Sequence, residues 1–216
     1  MNKLTLLIFV FLSLAIAVQA QTPVQELVWK AENYKTVTHT NFRSQRIFNQ
    51  KLPVYITKVD HALLNATLFF LTNEARVKNR LPPLEYCPAL EIAAWNHALK
   101  MAHYGFISHD NLKDSHRRTI EDRAALAGIT NPYLIESITD CDGSLNKSDT
   151  YLSLGQRLVN QLLQSEVHRK NLLSDSLQLG CGGYFYMNTW YAVQLFQSIE
   201  KIVLKAPADR LPTLVR

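Results

Sequence analysis

The polar stretch Leu163–Leu173 (LQSEVHRKNLL) contains one histidine, His168, and directly follows a segment with helical periodicity. Apolar residues recur at helical spacing from 154 to 162, and Ser153-Leu154-Gly155-Gln156 has the form of a capping box. We therefore predict a helix that begins at Ser153 and delivers His168. A lone histidine after a helix is more often solvated than functional, so the meaning of His168 depends on what the fold brings beside it.

Two longer helices are predicted upstream. From Asp60 onward apolar residues recur on one face, and Leu81–Leu84 (LPPL) ends this helix because proline cannot continue it. A second helix begins at Pro88, which suits the first helical position, and ends at Gly105. His97 lies on the apolar stripe of the second helix, so we predict a core histidine rather than a ligand.

The remaining elements are short. Thr119–Ala127 is predicted to be a capped helix, and Pro132–Thr139 is rich in β-formers. The segments 178–186 and 190–198 are strand-like and are joined by a short turn, which predicts an antiparallel hairpin. Three residues of the first of these strands have no side chain, which predicts a bulge or a close backbone approach: Gly180, Gly182 and Gly183. Helices flanking a small antiparallel sheet indicate an α+β layered domain.

The ends of the chain differ in character from this domain. Residues 1–20 have a basic start at Lys3, an apolar run and small residues before Gln21, as in a secretory signal peptide. The alternative is an uncleaved membrane anchor, but the run is short for a bilayer span of roughly 20 residues. Residues 21–58 show no sustained period and form an N-terminal extension of unknown role, and the tail 200–216 is expected to be loose.

Composition narrows the classes of partner. The 216 residues are 47% hydrophobic, enough for one domain with a core, and the formal net charge of +5 falls to +4 without Lys3. Because the basic residues are scattered rather than clustered with aromatic residues, we expect no nucleic-acid partner. We expect a monomer with no transmembrane span in its mature form, either secreted or periplasmic.

Three cysteines allow at most one internal disulfide. A secreted chain enters an oxidising compartment, so a bridge is plausible there. We favour Cys141 with Cys181, since both are predicted in or beside the sheet. The alternative, that Cys87, Cys141 and Cys181 are all reduced and buried, stays open.

Residues from about 60 to 199 resemble the CAP superfamily, also called SCP/PR-1 (cysteine-rich secretory proteins, antigen 5, pathogenesis-related 1), and look closest to its bacterial branch. Five stretches carry the resemblance in order and spacing: 68–84, Cys87–His109 (CPALEIAAWNHALKMAHYGFISH), Arg123–Gly128 (RAALAG), Ser165–Leu172 (SEVHRKNL) and 179–196. The resemblance implies a three-layer α-β-α sandwich, with the CAP domain at residues 59–199. It also implies a cleft lined by two histidines and acidic residues.

The resemblance identifies the candidate site. His109 matches the first family histidine, His168 the second, and Glu136 the glutamate of a Gly-Glu-Asn strand that here reads Ile135-Glu136-Ser137. The second family acid has no clean counterpart, since Gln161 lies near its place and Glu166 is a possible stand-in. We also expect Ser108 in the cleft lining.

The chemistry of these side chains leaves three functions open. Two neutral imidazoles can bind Zn²⁺ weakly, with Glu136 orienting a ring or poising a water. The first hypothesis is a secreted binding module for a lipid, a peptide, an envelope component or a metal ion. The second is a metal-dependent hydrolase with Glu136 or Glu166 as base, and the third is a purely structural cluster. The missing nucleophile motifs and the short set of acids favour the first and argue against an enzyme.

Overall fold

The computed structural model describes residues 27–53, 56–144, 146 and 148–205, so the predicted signal peptide lies outside the described residues. The described helices are α1 (His61–Lys78), α2 (Pro88–Tyr104), α3 (Ile120–Leu126), α4 (Tyr151–Gln164) and α5 (Glu166–Leu172). The described strands are β1 (Glu85–Tyr86), β2 (Leu134–Asp142), β3 (Gln178–Tyr186) and β4 (Thr189–Gln197). In these ranges, no helix combines the length and the apolar content that a bilayer crossing requires.

The four strands form one sheet in the order β1-β3-β4-β2, which leaves β2 at an edge. The predicted hairpin of β3 and β4 is confirmed, and its turn consists of Met187 and Asn188 with φ values of 44° and 60°. Such positive values match the twist of paired strands in a two-residue turn. β2 also runs antiparallel to β4, whereas the two-residue β1 is parallel to β3.

Helices cover both faces of the sheet, which confirms the α-β-α sandwich. On one face, α2 and α3 pack against Val193 and Leu195. On the other face, α1, α4 and α5 pack against alternate residues of the same strands, such as Leu179 and Phe196. A Cβ at Gly182 would overlap the backbone of Trp95 in α2, so this glycine permits the close approach predicted for the strand.

The N-terminal segment 27–53 contributes to the core although it lacks periodicity. It is a series of 3-10 turns, and Trp29, Phe42 and Phe48 are at most 1% exposed. Their rings meet Phe70 of α1 at centroid distances of 5.6 to 5.8 Å. The segment thus forms an additional layer over the outer side of α1.

The prediction of a loose tail was wrong for residues 200–205. Leu204 forms a β-bridge with Ile129, and Lys201 forms an ion pair with Glu85 over 2.6 Å. The amide of Ile202 also donates to the Gln178 side chain. These contacts attach the start of the tail to β1, β3 and the loop after α3.

The start of the fourth helix was also placed wrongly. Helix α4 begins at Tyr151, because Thr150 is its N-cap and Ser153 is the reciprocal partner in the capping box. The helix ends before Ser165, whose φ and ψ of −79° and 126° are extended. His168 therefore lies on the separate short helix α5 and not at the end of α4.

The favoured disulfide is not present, and all three cysteines are free thiols. Cys141 pairs with Trp190 and Cys181 with Gln194, so β4 separates the two cysteines. Two inter-strand spacings amount to about 10 Å, whereas a disulfide requires Cα atoms within about 7 Å. Cys87 and Cys181 are buried and Cys141 is half-buried.

Candidate functional site

A buried carboxylate, Glu136 on the edge strand β2, is the centre of the candidate site. Its side chain is 4% exposed, and each of its oxygens has a different partner. Oε1 lies 2.8 Å from His109 Nδ1, and Oε2 accepts a hydrogen bond of 2.8 Å from Arg123. The carboxylate thus bridges the loop after α2 and the helix α3.

His109 is held at its backbone and at its ring. Its main-chain carbonyl accepts a hydrogen bond of 3.0 Å from Arg123, while its ring Nδ1 contacts Glu136. The side chain is 58% exposed. Within the described ranges, Nε2 has no hydrogen-bond partner, so the ring presents this nitrogen outward.

The protonation states of Glu136 and His109 follow from the contacts of these two side chains. Burial raises the pKa of Glu136, but the hydrogen bond from His109 and the charge of Arg123 outweigh burial, and the pKa lies below its usual value. The same hydrogen bond raises the pKa of His109, and burial opposes it only in part. Glu136 is therefore an ionised acceptor at neutral pH.

His97 is the core histidine that the sequence predicted. It is 0% exposed in α2, and its Nε2 lies 2.9 Å from the Ser108 carbonyl and 4.0 Å from Glu136 Oε1. Burial lowers its pKa to about 4, although Glu136 acts in the opposite direction. A neutral His97 therefore donates to Ser108 and fixes the start of the loop that carries His109.

His168 approaches the site from the other face of the sheet on α5. Asn171, one turn further along, donates to the Glu136 carbonyl and to Ser137 Oγ, both over 3.1 Å. The buried Arg76 of α1 donates to the Leu172 carbonyl over 2.8 Å. These two contacts fix α5 against β2 and α1.

The two histidines come within electrostatic range of each other at the edge of β2. Burial lowers the pKa of His168, and the charge of His109 lowers it further. The charge of His109 thus reaches His168 although the two residues are 59 positions apart in the chain. In the part of the chain that the structure describes, no group of three or more His, Cys, Asp or Glu side chains is arranged to hold a metal ion.

A pocket of about 380 Å³ opens beside His109. Its lining combines carboxylates with apolar side chains: His109, Asp110, Thr119, Ile120, Glu121, Leu134 and Glu136. The other predicted cleft residues do not line this pocket. Gln161 is exposed on α4, and Glu166 is exposed and forms an ion pair of 2.9 Å with Lys170.

Sequence reasoning did not identify Arg123, Asn171 or Arg76 as part of the site. All three lie within stretches that resemble the family: Arg76 in 68–84, Arg123 in RAALAG and Asn171 in SEVHRKNL. The sequence did not reveal the role of Arg76, because that role depends on the distant carbonyl groups at the end of α5.

Solved structures resemble the fold. An extracellular protein from Bacillus anthracis that contains an SCP domain matches with a TM-score of 0.51 and 25% identity, covering 67% of this chain and 44% of that one. An outer surface protein from Borrelia burgdorferi matches with a TM-score of 0.48 and 22% identity over 62% of this chain and 92% of its own. The CAP domain of the enterococcal protein PrgA matches with a TM-score of 0.48 and 17% identity over 81% of both chains. The present chain thus spans less than half of the Bacillus protein.

No curated protein matches the chain. The profile of the cysteine-rich secretory protein family, CAP, matches residues 69–196, which is more than half of the chain. The matched region includes His109, Arg123, Glu136, His168 and Asn171. The chain belongs to the CAP family.

Proposed function

We propose that this chain is a secreted binding module and that its ligand binds in the cleft between His109 and His168 at the edge of β2. The supporting observation is that Glu136 and Arg123 fix the exposed His109 ring, while Asn171 fixes the helix that carries the half-exposed His168. Such an arrangement fits a site that presents nitrogen atoms to a ligand.

The geometry favours binding over hydrolysis. Each oxygen of Glu136 already accepts a hydrogen bond, one from His109 and one from Arg123, and its lowered pKa makes it a weak base. Glu166 is exposed beside Lys170, where water screens its charge and no contact directs it toward the histidines. Neither carboxylate is placed to accept a proton from an attacking water.

The ligand classes are a lipid, a peptide, an envelope component or a metal ion. A divalent ion such as Zn²⁺ would be held by His109 and His168 with water completing its coordination, because the oxygens of Glu136 are directed at His109 and Arg123. Such a site is weaker than a closed four-ligand zinc site. The pocket beside His109, with Ile120 and Leu134 in its lining, offers apolar contact to a larger ligand.

Secretion is part of this proposal. It is supported by the signal-like sequence of residues 1–20 and by the similarity to an extracellular protein from Bacillus anthracis. The expected mature N-terminus is Gln21. Mass spectrometry of the protein recovered outside the cytoplasm tests this, and an intact Met1 would contradict it.

Zinc titration calorimetry on residues 21–216 tests the cleft. We expect the wild type to bind and His109→Ala/His168→Ala to lose the heat. The control His39→Ala/His103→Ala keeps it, since His39 lies in the N-terminal segment and His103 near the end of α2 beside Tyr186. Equal heats for all three proteins would rule out the metal as ligand. An organic extract of the purified protein, analysed by mass spectrometry, then shows whether an apolar ligand co-purifies.

The structural alternative has a different outcome. A cluster that only stabilises the sandwich predicts that His109→Ala lowers the melting temperature and that neither zinc nor an extracted ligand changes this difference. A binding site predicts that ligand raises the melting temperature of the wild type more than that of the variant.

A further inference from the structure

We propose that Arg123 is a positioning residue that, through Glu136, fixes His109 in the tautomer with hydrogen on Nδ1 and leaves the Nε2 lone pair for the ligand. The relevance to binding rests on the proposed function of the cleft. The geometry itself does not depend on any ligand.

Arg123 fixes the orientation of the Glu136 carboxylate relative to His109. Guanidinium is only a donor, so each of its hydrogen bonds requires an acceptor. Arg123 is 2% exposed and donates to Glu136 Oε2 and to the main-chain carbonyls of His109 and Arg118. The paired carboxylate therefore cannot rotate away, and its other oxygen, Oε1, remains directed at His109 Nδ1.

The tautomer follows from the acceptor. An ionised carboxylate has no hydrogen to donate, so the contact of 2.8 Å requires hydrogen on His109 Nδ1. In a neutral ring, Nε2 then carries the lone pair. Since the His109 side chain is 58% exposed and Nε2 has no hydrogen-bond partner within the described ranges, this lone pair is available to a metal ion or to a hydrogen-bond donor.

An amide at position 136 reverses this arrangement. In Glu136→Gln, Arg123 can bond only to the amide oxygen, because the amide nitrogen is a donor as well. The amide nitrogen must then face His109 Nδ1, which has to accept a hydrogen bond. The hydrogen moves to Nε2, and the lone pair toward the cleft is lost.

Removing Arg123 from that variant restores the original tautomer. In Glu136→Gln/Arg123→Met, nothing holds the amide oxygen on the α3 side, so it can turn to accept a hydrogen bond from Nδ1. A purely structural Arg123 would not produce this reversal. The control is Glu121→Gln, which changes a carboxylate of the same pocket that has no hydrogen bond to His109 in the described ranges.

Nitrogen-15 NMR of the histidine rings reports the tautomer in the ligand-free protein, at a pH above the titration range of histidine. We expect the Nδ1–H pattern for His109 in the wild type and in Glu121→Gln, the Nε2–H pattern in Glu136→Gln, and a return to Nδ1–H in the double variant. An Nε2–H pattern in the wild type overturns the proposal. So does an Nδ1–H pattern in folded Glu136→Gln.

A failure to fold and a failure to bind ligand can each be distinguished from a failure of the role proposed for Arg123. If the double variant does not fold, Arg123→Lys combined with Glu136→Gln replaces it. A lysine at position 123 still donates a hydrogen bond to the amide oxygen, so the Nε2–H pattern must persist. Loss of the Nε2–H pattern in this variant contradicts the mechanism. If the tautomers behave as expected but the wild type binds no zinc or extracted ligand, the proposed function fails while the role of Arg123 stands.

Discussion

The phenol of Tyr34, in the segment that precedes the family match, donates a hydrogen bond of 3.1 Å to the Oε2 atom of the buried Glu91 in α2. Asn65 of α1 donates to the other oxygen over 3.1 Å, and Tyr86 lies near this carboxyl. The Tyr34 and Tyr86 rings are stacked, with centroids 3.6 Å apart. The N-terminal segment is thus attached to the sandwich through a buried acid.

This acid predicts a pH-dependent stability. Burial raises the pKa of Glu91, and the hydrogen bonds lower it only in part. Because the folded pKa lies above the unfolded value, the contribution of Glu91 is complete at low pH and is lost as the pH rises through the folded pKa. Glu91→Gln should therefore gain stability relative to the wild type as the pH rises above the usual range of a glutamate carboxyl, by a few degrees in Tm.

Thermal unfolding followed by circular dichroism at a series of pH values measures this difference. Glu32→Gln is the control, since Glu32 is exposed in the same N-terminal segment. A Tm difference between Glu91→Gln and wild type that stays constant with pH would show that Glu91 has the same pKa in both states.

The burial of Trp29 indicates that the N-terminal segment contributes to the free energy of unfolding. It is 1% exposed, packs against Phe48 and Phe70, and its amide donates to the Asp60 side chain, which caps α1. Trp29→Ala should cost about 3 to 5 kcal/mol in the free energy of unfolding, as for other buried tryptophans.

Denaturant unfolding of Trp29→Ala against Val28→Ala checks this value. Val28 is 48% exposed, so its truncation should change stability by less than about 0.5 kcal/mol. Equal, small losses in both variants would mean that the segment is not part of the folded core.

The space at Gly182, between β3 and α2, is too small for any side chain. A Cβ there would overlap the amide nitrogen and Cα of Trp95, and backbone cannot move aside as a flexible side chain can. Gly182→Ala should therefore lower stability by several kcal/mol, on the order of other overpacked cores. Gly105→Ala provides the comparison, since no atom lies within 4 Å and only its φ of 66° opposes a side chain. A smaller loss for Gly182→Ala than for Gly105→Ala, in the same denaturant titration, would contradict the close contact of α2 and β3.

The cysteines predict a graded reactivity. Cys181 and Cys87 are 2% and 4% exposed, whereas Cys141 is half-buried, and burial raises the pKa of all three thiols. A thiol reagent should label Cys141 first in the native protein and all three cysteines after denaturation. Peptide mapping by mass spectrometry identifies the labelled residue. A Cys141–Cys181 disulfide in the native protein would contradict the sheet order.

Local signals in the sequence determined much of the secondary structure. Pro88 and Gly105 bound α2, Asp122 completes the capping box at the start of α3, and strand-like runs on both sides of a short turn indicated the hairpin. Each of these features depends on residues only a few positions apart. Sequence alone could therefore predict them and, with the family resemblance, the sandwich.

Tertiary structure decided the break between α4 and α5 and the composition of the site. Ser165 carries no strong stop signal. The direction of α5 is set by the hydrogen bond that its residue Asn171 donates to β2. Arg123, Glu136 and His109 meet only because α3, the edge strand and the loop after α2 converge. The aperiodic N-terminal segment is buried because the outer side of α1, including Phe70, needs an apolar cover. Contacts between distant segments leave no period or spacing in the sequence, so packing alone determined them.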